Sequence, residues 1–288
     1  MTALRRRLTL LLVAIGWLAG APLAGAGERF EKLWCLRYAV APQAPLSALL
    51  AGAPHDATLD LPFAMCAARS PSQVVVLDSG FVNQKLGEPF HARDWVDYAP
   101  LLAEVGIALD EVDYVTISHL HFDHAGGTSR FPKAKFILQR RELEFAAGAM
   151  PNNSAARQAF TAEDVLAAVQ LNWQGRMLLA DGDVEGVIPG LDVYLTPGHT
   201  AGTMTVCLDT KKGRYCYSSD AVYTYRNLDE DIPLGLALDS GEAVESYKKI
   251  RRILRGGKLI PGHEPRIFDE PEKLGFRRVS AHAVALVE

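Results

Sequence analysis

Short apolar runs alternate with amphipathic stretches along most of the chain. Val74-Val75-Val76-Leu77 reads as a buried strand that stops at the turn Asp78-Ser79-Gly80. Trp95, Tyr98, Leu101, Leu102 and Val105 recur at helical spacing and predict a helix over 95–105. The β-branched stretch Val112 to Ser118 predicts a strand, as does Lys135 to Gln139, with a helix over Arg140 to Ala147. The stretch 150–159 is mostly polar and small and reads as a loop. Thr161, followed by Glu163 and Asp164, then caps a helix to about Leu171. A denser series of strands follows at Met177 to Leu179, Gly186 to Pro189, Leu191 to Thr196, Thr203 to Asp209 and Arg214 to Ser218. A helix from about Glu242 to Arg255 and a strand over Lys258 to Ile260 come after it. This mixture predicts an α/β (α+β) fold with sheets layered under helices. Each strongly polar motif falls where a strand ends, the level at which active-site loops gather.

The N-terminus does not belong to that pattern. Arg5-Arg6-Arg7 precedes an apolar stretch from Leu8 to Ala24, and Ala24-Gly25-Ala26 closes it. A basic start, a short apolar core and an A-x-A site predict a secretory signal peptide over 1–26, cleaved near Ala26. Gly16, Gly20 and Pro22 interrupt the apolar core, which is shorter than the ~20 residues a span requires. The expected mature protein is a single domain over 27–288, periplasmic or secreted, with no stable membrane insertion. Removing three arginines and no acid takes the formal charge from −4 to −7, which disfavours nucleic-acid binding. Export permits disulfides among Cys35, Cys66, Cys207 and Cys216, and none has the C-x-x-C spacing of a thiolate zinc site. Cys207 and Cys216 flank Thr210-Lys211-Lys212-Gly213. An even-length hairpin loop sets them opposite each other, a three-residue loop ending at Gly213 puts them on opposite faces, and both readings stay open. Pairing of Cys35 with Cys66 is equally open.

The chemistry concentrates in histidine. His119-Leu120-His121-Phe122-Asp123-His124 sits at the end of an expected strand. In extended backbone, residues i and i+2 project to one side, so His119 and His121 can share one ion while Asp123 and His124 face another. That much polar material in one place costs stability unless something binds it. Neutral imidazole and carboxylate suit two divalent ions, zinc first, with cobalt, manganese or iron as competitors. His199 in Pro197-Gly198-His199-Thr200 and His263 in Pro261-Gly262-His263-Glu264 lie in two further strand-end turns and supply one more ligand each. Asp220, after the last hairpin strand, is placed to bridge the ions. Asp78 is expected to accept a hydrogen bond from a ligand histidine. His55, His91 and His282 lack such partners and read as surface residues.

These motifs resemble the metallo-β-lactamase superfamily over about Asp78 to His263. The resemblance implies an αββα sandwich with the metals at one edge of the sheets. It assigns His119, His121 and His199 to one ion, Asp123, His124 and His263 to the other, and Asp220 to both. Asp220-Ala221-Val222-Tyr223-Thr224, Asn227, Ile232-Pro233 and the run His-Leu-His-Phe-Asp-His-Ala-Gly-Gly narrow the likeness to the N-acyl-homoserine lactonases. In that family a tyrosine at the position of Tyr223 contacts the substrate carbonyl. Leu61-Pro62-Phe63 resembles the family more loosely, and Gly202-Thr203 departs from the Gly-His or Gly-Ser usual there. The expected partner is a small lactone, opened by a metal-activated hydroxide with Asp123 as proton carrier and Tyr223 on the oxyanion. Phe122 and Tyr223 are expected to line the substrate pocket. Other substrates of the same metal site, namely γ-lactones, thioesters and phosphodiesters, remain alternatives, as does a non-catalytic metal-binding protein. Oligomeric state is left open, with a homodimer among the options.

Overall fold

A computed structural model describes residues 28–148 and 159–288. The expected leader, and nearly all of the stretch 150–159 read as a loop, lie outside the described residues. The first strands are β1 (Lys32–Pro45), β2 (Thr58–Arg69), β3 (Val74–Leu77), β4 (Tyr114–Thr116), β5 (Lys135–Gln139) and β6 (Met177–Ala180). They are followed by β7 (Val184–Ile188), β8 (Leu191–Leu195), β9 (Met204–Thr210), β10 (Gly213–Ser219), β11 (Lys258–Pro261), β12 (Arg277–Arg278) and β13 (Ala283–Val287). The helices are α1 (Leu46–Leu49), α2 (Tyr98–Ala103), α3 (Phe122–Ala125), α4 (Arg140–Ala147), α5 (Ala162–Trp173), α6 (Tyr225–Asp229), α7 (Ser240–Ile253) and α8 (Arg266–Asp269). One sheet runs β12-β13-β1-β2-β3-β4-β5-β6 and the other β11-β10-β9-β8-β7.

Side-chain alternation makes four layers from these two sheets. On β1, Leu33 and Cys35 point into the core between the sheets, where they join Val206 and Leu208 of β9 and Tyr217 of β10. Trp34, Leu36 and Tyr38 of β1 point the other way, into a second core with Tyr98, Leu101 and Leu102 of α2. On the far sheet, Cys207 and Cys216 turn outward against Ala243, Tyr247 and Ile250 of α7. A strand's period of two supplies both faces, and α7 offers its apolar residues four and three positions apart, as a helix packed on a sheet must. Both faces of each sheet are therefore covered, which is the expected αββα order.

Most expected elements form within a residue or two of their predicted ends. The helix over 95–105 is shorter than expected. The Asp97 side chain accepts from Ala99 N at 3.1 Å and starts α2 at Tyr98, leaving Trp95 outside with its indole nitrogen on the Ala92 carbonyl at 3.1 Å. The two longest strands, β1 and β2, have no counterpart in the sequence reading. Both are antiparallel partners in register from Lys32↔Arg69 to Pro45↔Thr58, with bulges that break a simple alternation. The hairpin question is decided by register: Gly213 pairs with Thr210, which leaves Lys211-Lys212 as a two-residue loop and sets Cys216 opposite Cys207. Cys207–Cys216 and Cys35–Cys66 are both disulfide-bonded, the second between directly paired residues of β1 and β2. No helix among the described residues is long and apolar enough to cross a membrane.

Candidate metal centre

The parallel strands β3, β4 and β5 end side by side, and β10 pairs in parallel with β11 in the facing sheet. Loops leaving these ends converge on one side of the sandwich. β4 leads through Ser118 to His119, and His121 precedes the single turn α3, which carries Phe122, Asp123 and His124. The β8–β9 connection delivers His199, the end of β10 delivers Asp220, and the end of β11 delivers His263. Gly198 adopts φ +130°, and a Cβ there would stand 2.3 Å from the backbone nitrogen of Ala243. Only glycine lets the His199 turn lie this close to the start of α7.

All seven expected ligand positions are brought together. His199 Nε2 lies 2.9 Å from His121 Nδ1 and 3.2 Å from His119 Nε2. The two oxygens of Asp220 divide between two clusters. Oδ2 faces His199 Nε2 at 3.3 Å and His119 Nε2 at 3.8 Å. Oδ1 faces His263 Nε2 at 3.2 Å and His124 Nε2 at 3.3 Å. Asp123 Oδ2 completes the second cluster, 3.3 Å from His124 Nε2 and 3.6 Å from His263 Nε2. His119, His124, Asp220 and His263 are all buried.

The donor set fits cations. Ligand atoms of a tetrahedral zinc with ~2.0–2.1 Å bonds stand roughly 3.3 Å apart, the spacing these atoms already have. His124 Nε2 and Asp220 Oδ1 are buried and aligned for no hydrogen bond, although they face each other. Orphaned buried polar atoms of this kind carry a desolvation cost that a bound ion removes. The residues His119, His121 and His199 form one possible ion site and Asp123, His124 and His263 another, while Asp220 groups with His119 and His124, one residue from each.

Charge follows the same division among the protein groups by themselves. Burial holds His119, His121 and His199 below the ordinary histidine range. Burial alone would lower His124 too, but the carboxylates of Asp123, Asp220 and Asp78 outweigh it and raise the imidazole well above. His263 is likewise raised against burial, by Asp220. Burial works against the ionised form of Asp220, yet His124 and His263 hold its carboxyl well below the usual range. The acidic cluster favours cationic partners and the His119 cluster supplies neutral nitrogen.

The supporting layer is denser than the sequence suggests. Asp78, at φ 61° and fully buried, accepts from Ser118 N at 2.7 Å, Tyr217 OH at 2.8 Å and Ser118 Oγ at 2.9 Å. Its Oδ2 also lies 2.7 Å from His124 Nδ1, which points the other ring nitrogen at the cluster. The Pro62 carbonyl does the same for His263 Nδ1 at 2.9 Å, and the Leu236 carbonyl for His199 Nδ1 at 3.0 Å. Sequence reasoning found Asp78, but neither Ser118, Tyr217 and the two carbonyls nor Glu142. A buried Glu142 accepts from Leu120 N, Thr200 Oγ1 and Gly202 N, while burial pushes its carboxyl up. None carried a local signal, because serine, tyrosine and a helical glutamate are ordinary in such positions.

Tyr223 is buried, and its hydroxyl lies 3.0 Å from His199 Nδ1 and 3.2 Å from the Leu236 carbonyl. The ring stands between the histidines of the two clusters, 5.4 Å from His199 and 5.7 Å from His263 by centroid. Phe122 packs edge-on to Phe81 and stacks on Phe90, a residue 45% exposed. His55 and His91 are exposed and His282 is half-buried, and none of them joins a group of described residues that could hold an ion.

Comparison with known proteins agrees with this architecture. A family model described as the metallo-beta-lactamase superfamily matches residues 67–263. An N-acyl homoserine lactonase of Bacillus cereus is 33% identical over 167 residues, covering 57% of this chain and 60% of the relative. The N-acyl homoserine lactonase AttM of Azorhizobium caulinodans is 33% identical over 167 residues, covering 56% and 61%. The chain thus spans about 60% of the length of the curated relatives it matches. Among solved structures, a quorum-quenching N-acyl homoserine lactone lactonase superposes with a TM-score of 0.68 at 24% identity, over 83% of this chain and 94% of that one. AidC, a dizinc quorum-quenching lactonase holding a product, superposes at 0.64 and 18% identity, over 84% and 92%. With its two covered sheets and the seven ligand positions gathered at their edge, the chain belongs to the metallo-beta-lactamase superfamily.

Proposed function

We propose that this protein is an exported lactonase that opens the ester ring of N-acyl-homoserine lactones at a centre of two divalent ions, zinc by preference. The observation that carries the reading is Asp220, with one oxygen turned to each of two buried ligand clusters. The sequence likeness to N-acyl homoserine lactonases supports the choice of lactone among the substrates of such a site.

Bound ions of this kind polarise a carbonyl and make water acidic enough to attack it near neutral pH. The chain's own residues do the rest. His119, His121, Asp123, His124, His199, Asp220 and His263 hold the ions. Asp123 Oδ2 sits at the edge of its cluster with its side chain 12% exposed, so it reaches both the centre and an incoming ring. It takes the proton given up when water adds to the lactone carbonyl and returns it to the ring oxygen as the C–O bond breaks. Water and lactone become a carboxylic acid and an alcohol, with no proton left over. Tyr223, kept neutral because burial raises its hydroxyl well above the ordinary range, turns its O–H from the Leu236 carbonyl to the developing oxyanion. Phe122, with Phe90 beyond it, forms an apolar wall for the acyl chain.

The N-terminal 1–26 serve as a cleaved export signal, and 27–288 act as one catalytic unit. Two disulfides support an oxidising destination. The test is a hydrolysis panel of acyl-homoserine lactones of graded chain length, simple γ-lactones, a cephalosporin, a phosphodiester and a glutathione thioester. Acyl-homoserine lactone turnover that a chelator abolishes and zinc restores is expected. Turnover of the phosphodiester or cephalosporin without any lactone turnover overturns the assignment.

A further inference from the structure

Glu142 lies in the first turn of α4 and is fully buried. Its Oε1 accepts from Leu120 N at 2.9 Å, and Leu120 is the residue between His119 and His121. Its Oε2 accepts from Thr200 Oγ1 at 2.8 Å and from Gly202 N at 2.8 Å, and Thr200 directly follows His199. One carboxylate therefore ties together two chain segments that meet from opposite sheets. Those segments supply all three nitrogens of the His119–His121–His199 cluster, from positions 78 and 80 residues apart. Thr203 extends the clamp, because its Oγ1 accepts from Thr200 N at 3.0 Å and lies 2.7 Å from Thr200 Oγ1. Thr203 thereby has a local role in the clamp.

All three partners of Glu142 at these distances are donors, so the site calls for a group that only accepts. A carboxylate does so at both oxygens, whereas an amide turns an N–H toward a donor at one of them. The other cluster is supported elsewhere: Asp78 on His124, the Pro62 carbonyl on His263, and Tyr38 OH donating to the Asp123 carbonyl at 3.1 Å. Asp78 reaches both clusters, since Ser118 Oγ bonds it and also lies 2.9 Å from His119 Nδ1. Glu142 reaches one.

We propose that Glu142 is the positioning residue of one ion only, the ion held by His119, His121 and His199, acting through Leu120, Thr200 and Gly202. The assignment rests on the two-ion reading above, though not on the substrate. Groups that orient metal ligands typically contribute about 10- to 100-fold in metal affinity.

The test uses the full mature chain loaded with zinc, its affinity read by competition with a chromogenic chelator and the site by zinc-edge anomalous diffraction. Glu142→Gln is close to isosteric. It is expected to bind one ion with unchanged affinity and the other about 10- to 100-fold more weakly, with the anomalous peak beside His119, His121 and His199 fading first. Native affinity for both ions, or equal weakening of both, overturns the proposal. Thr200→Val removes a single donor, keeps the shape, and is expected to weaken the same ion severalfold. If Glu142→Gln does not fold, Thr200→Val decides alone, and loss of neither ion or of both overturns the proposal. Zinc is measured without substrate, so a wild-type chain that binds two ions and opens no lactone defeats the substrate reading and leaves this one intact. A wild-type chain that binds fewer than two ions defeats both.

Discussion

Tyr223 shows how one side chain can serve two ends. Its hydroxyl bonds the backside of His199 and the Leu236 carbonyl, while its ring stands beside both ligand clusters. If the hydroxyl serves the oxyanion, Tyr223→Phe lowers kcat on the order of 10²-fold with zinc content unchanged. If it serves only to hold His199, the same variant loses zinc from that histidine's ion instead. Activity and metal content measured on one preparation separate the two, and full activity with full zinc removes the tyrosine from the mechanism. The position of Tyr223, three residues after Asp220, was legible in the sequence. Its bond to His199 was not, because position 199 lies on a different strand-end loop and only folding brings it near.

Single elements matter here mainly through how they end. β4, β8, β10 and β11 each release a candidate ligand at the same edge, and the turns there are tight. Gly198 is the clearest case, with φ +130° and contact with the first turn of α7. Gly198→Ala forces a Cβ against the Ala243 backbone in a conformation that alanine disfavours, so a loss of at least about 1–3 kcal/mol is expected. Since α7 must shift to relieve it, zinc affinity at the His199 ion falls as well. Denaturant melts with and without zinc measure both, and a variant with wild-type stability and zinc affinity contradicts the argument. The strand Val74 to Leu77 was plain in the sequence because an unbroken apolar run, here buried at every position, ends at a turn signal. β1 and β2 were hidden because bulges shift their alternation between Arg37 and Ala39 and again between Ala41 and Ala44.

For the whole molecule, the two disulfides lie in different layers. Cys35–Cys66 joins β1 to β2 in the core between the sheets, and Cys207–Cys216 joins β9 to β10 under α7. The first closes a sequence separation of 31 residues, for which chain entropy gives about 3–4 kcal/mol of stabilisation. A reductant present throughout a denaturant titration is expected to move the unfolding midpoint to lower denaturant. Thiol titration of the unfolded, unreduced protein is expected to find no free thiol. Four free thiols, or a midpoint indifferent to reductant, contradict the paired state. Neither bond was decided by the sequence. Pairing of Cys207 with Cys216 depended on a loop of two residues rather than three, which the register of β9 on β10 fixed.

The sequence by itself picked out the candidate ligand set that the fold then gathers in one place. Imidazoles and carboxylates clustered at strand ends, flanked by glycine and proline, point to a metal centre because burying so many of them costs stability unless each finds a partner. It also determined the layered α/β class, through strand and helix periods that survive in a single chain. Tertiary structure alone decided which oxygen of Asp220 faces which histidines, since that depends on how two sheets abut. It alone put Glu142 under Leu120 and Thr200, because a charged residue in an amphipathic helix looks solvent-facing until the neighbouring loops close over it. Ligand identity is a local property of side-chain chemistry, whereas the hydrogen bonds that aim each ligand join residues far apart in the chain and exist only once the layers have packed.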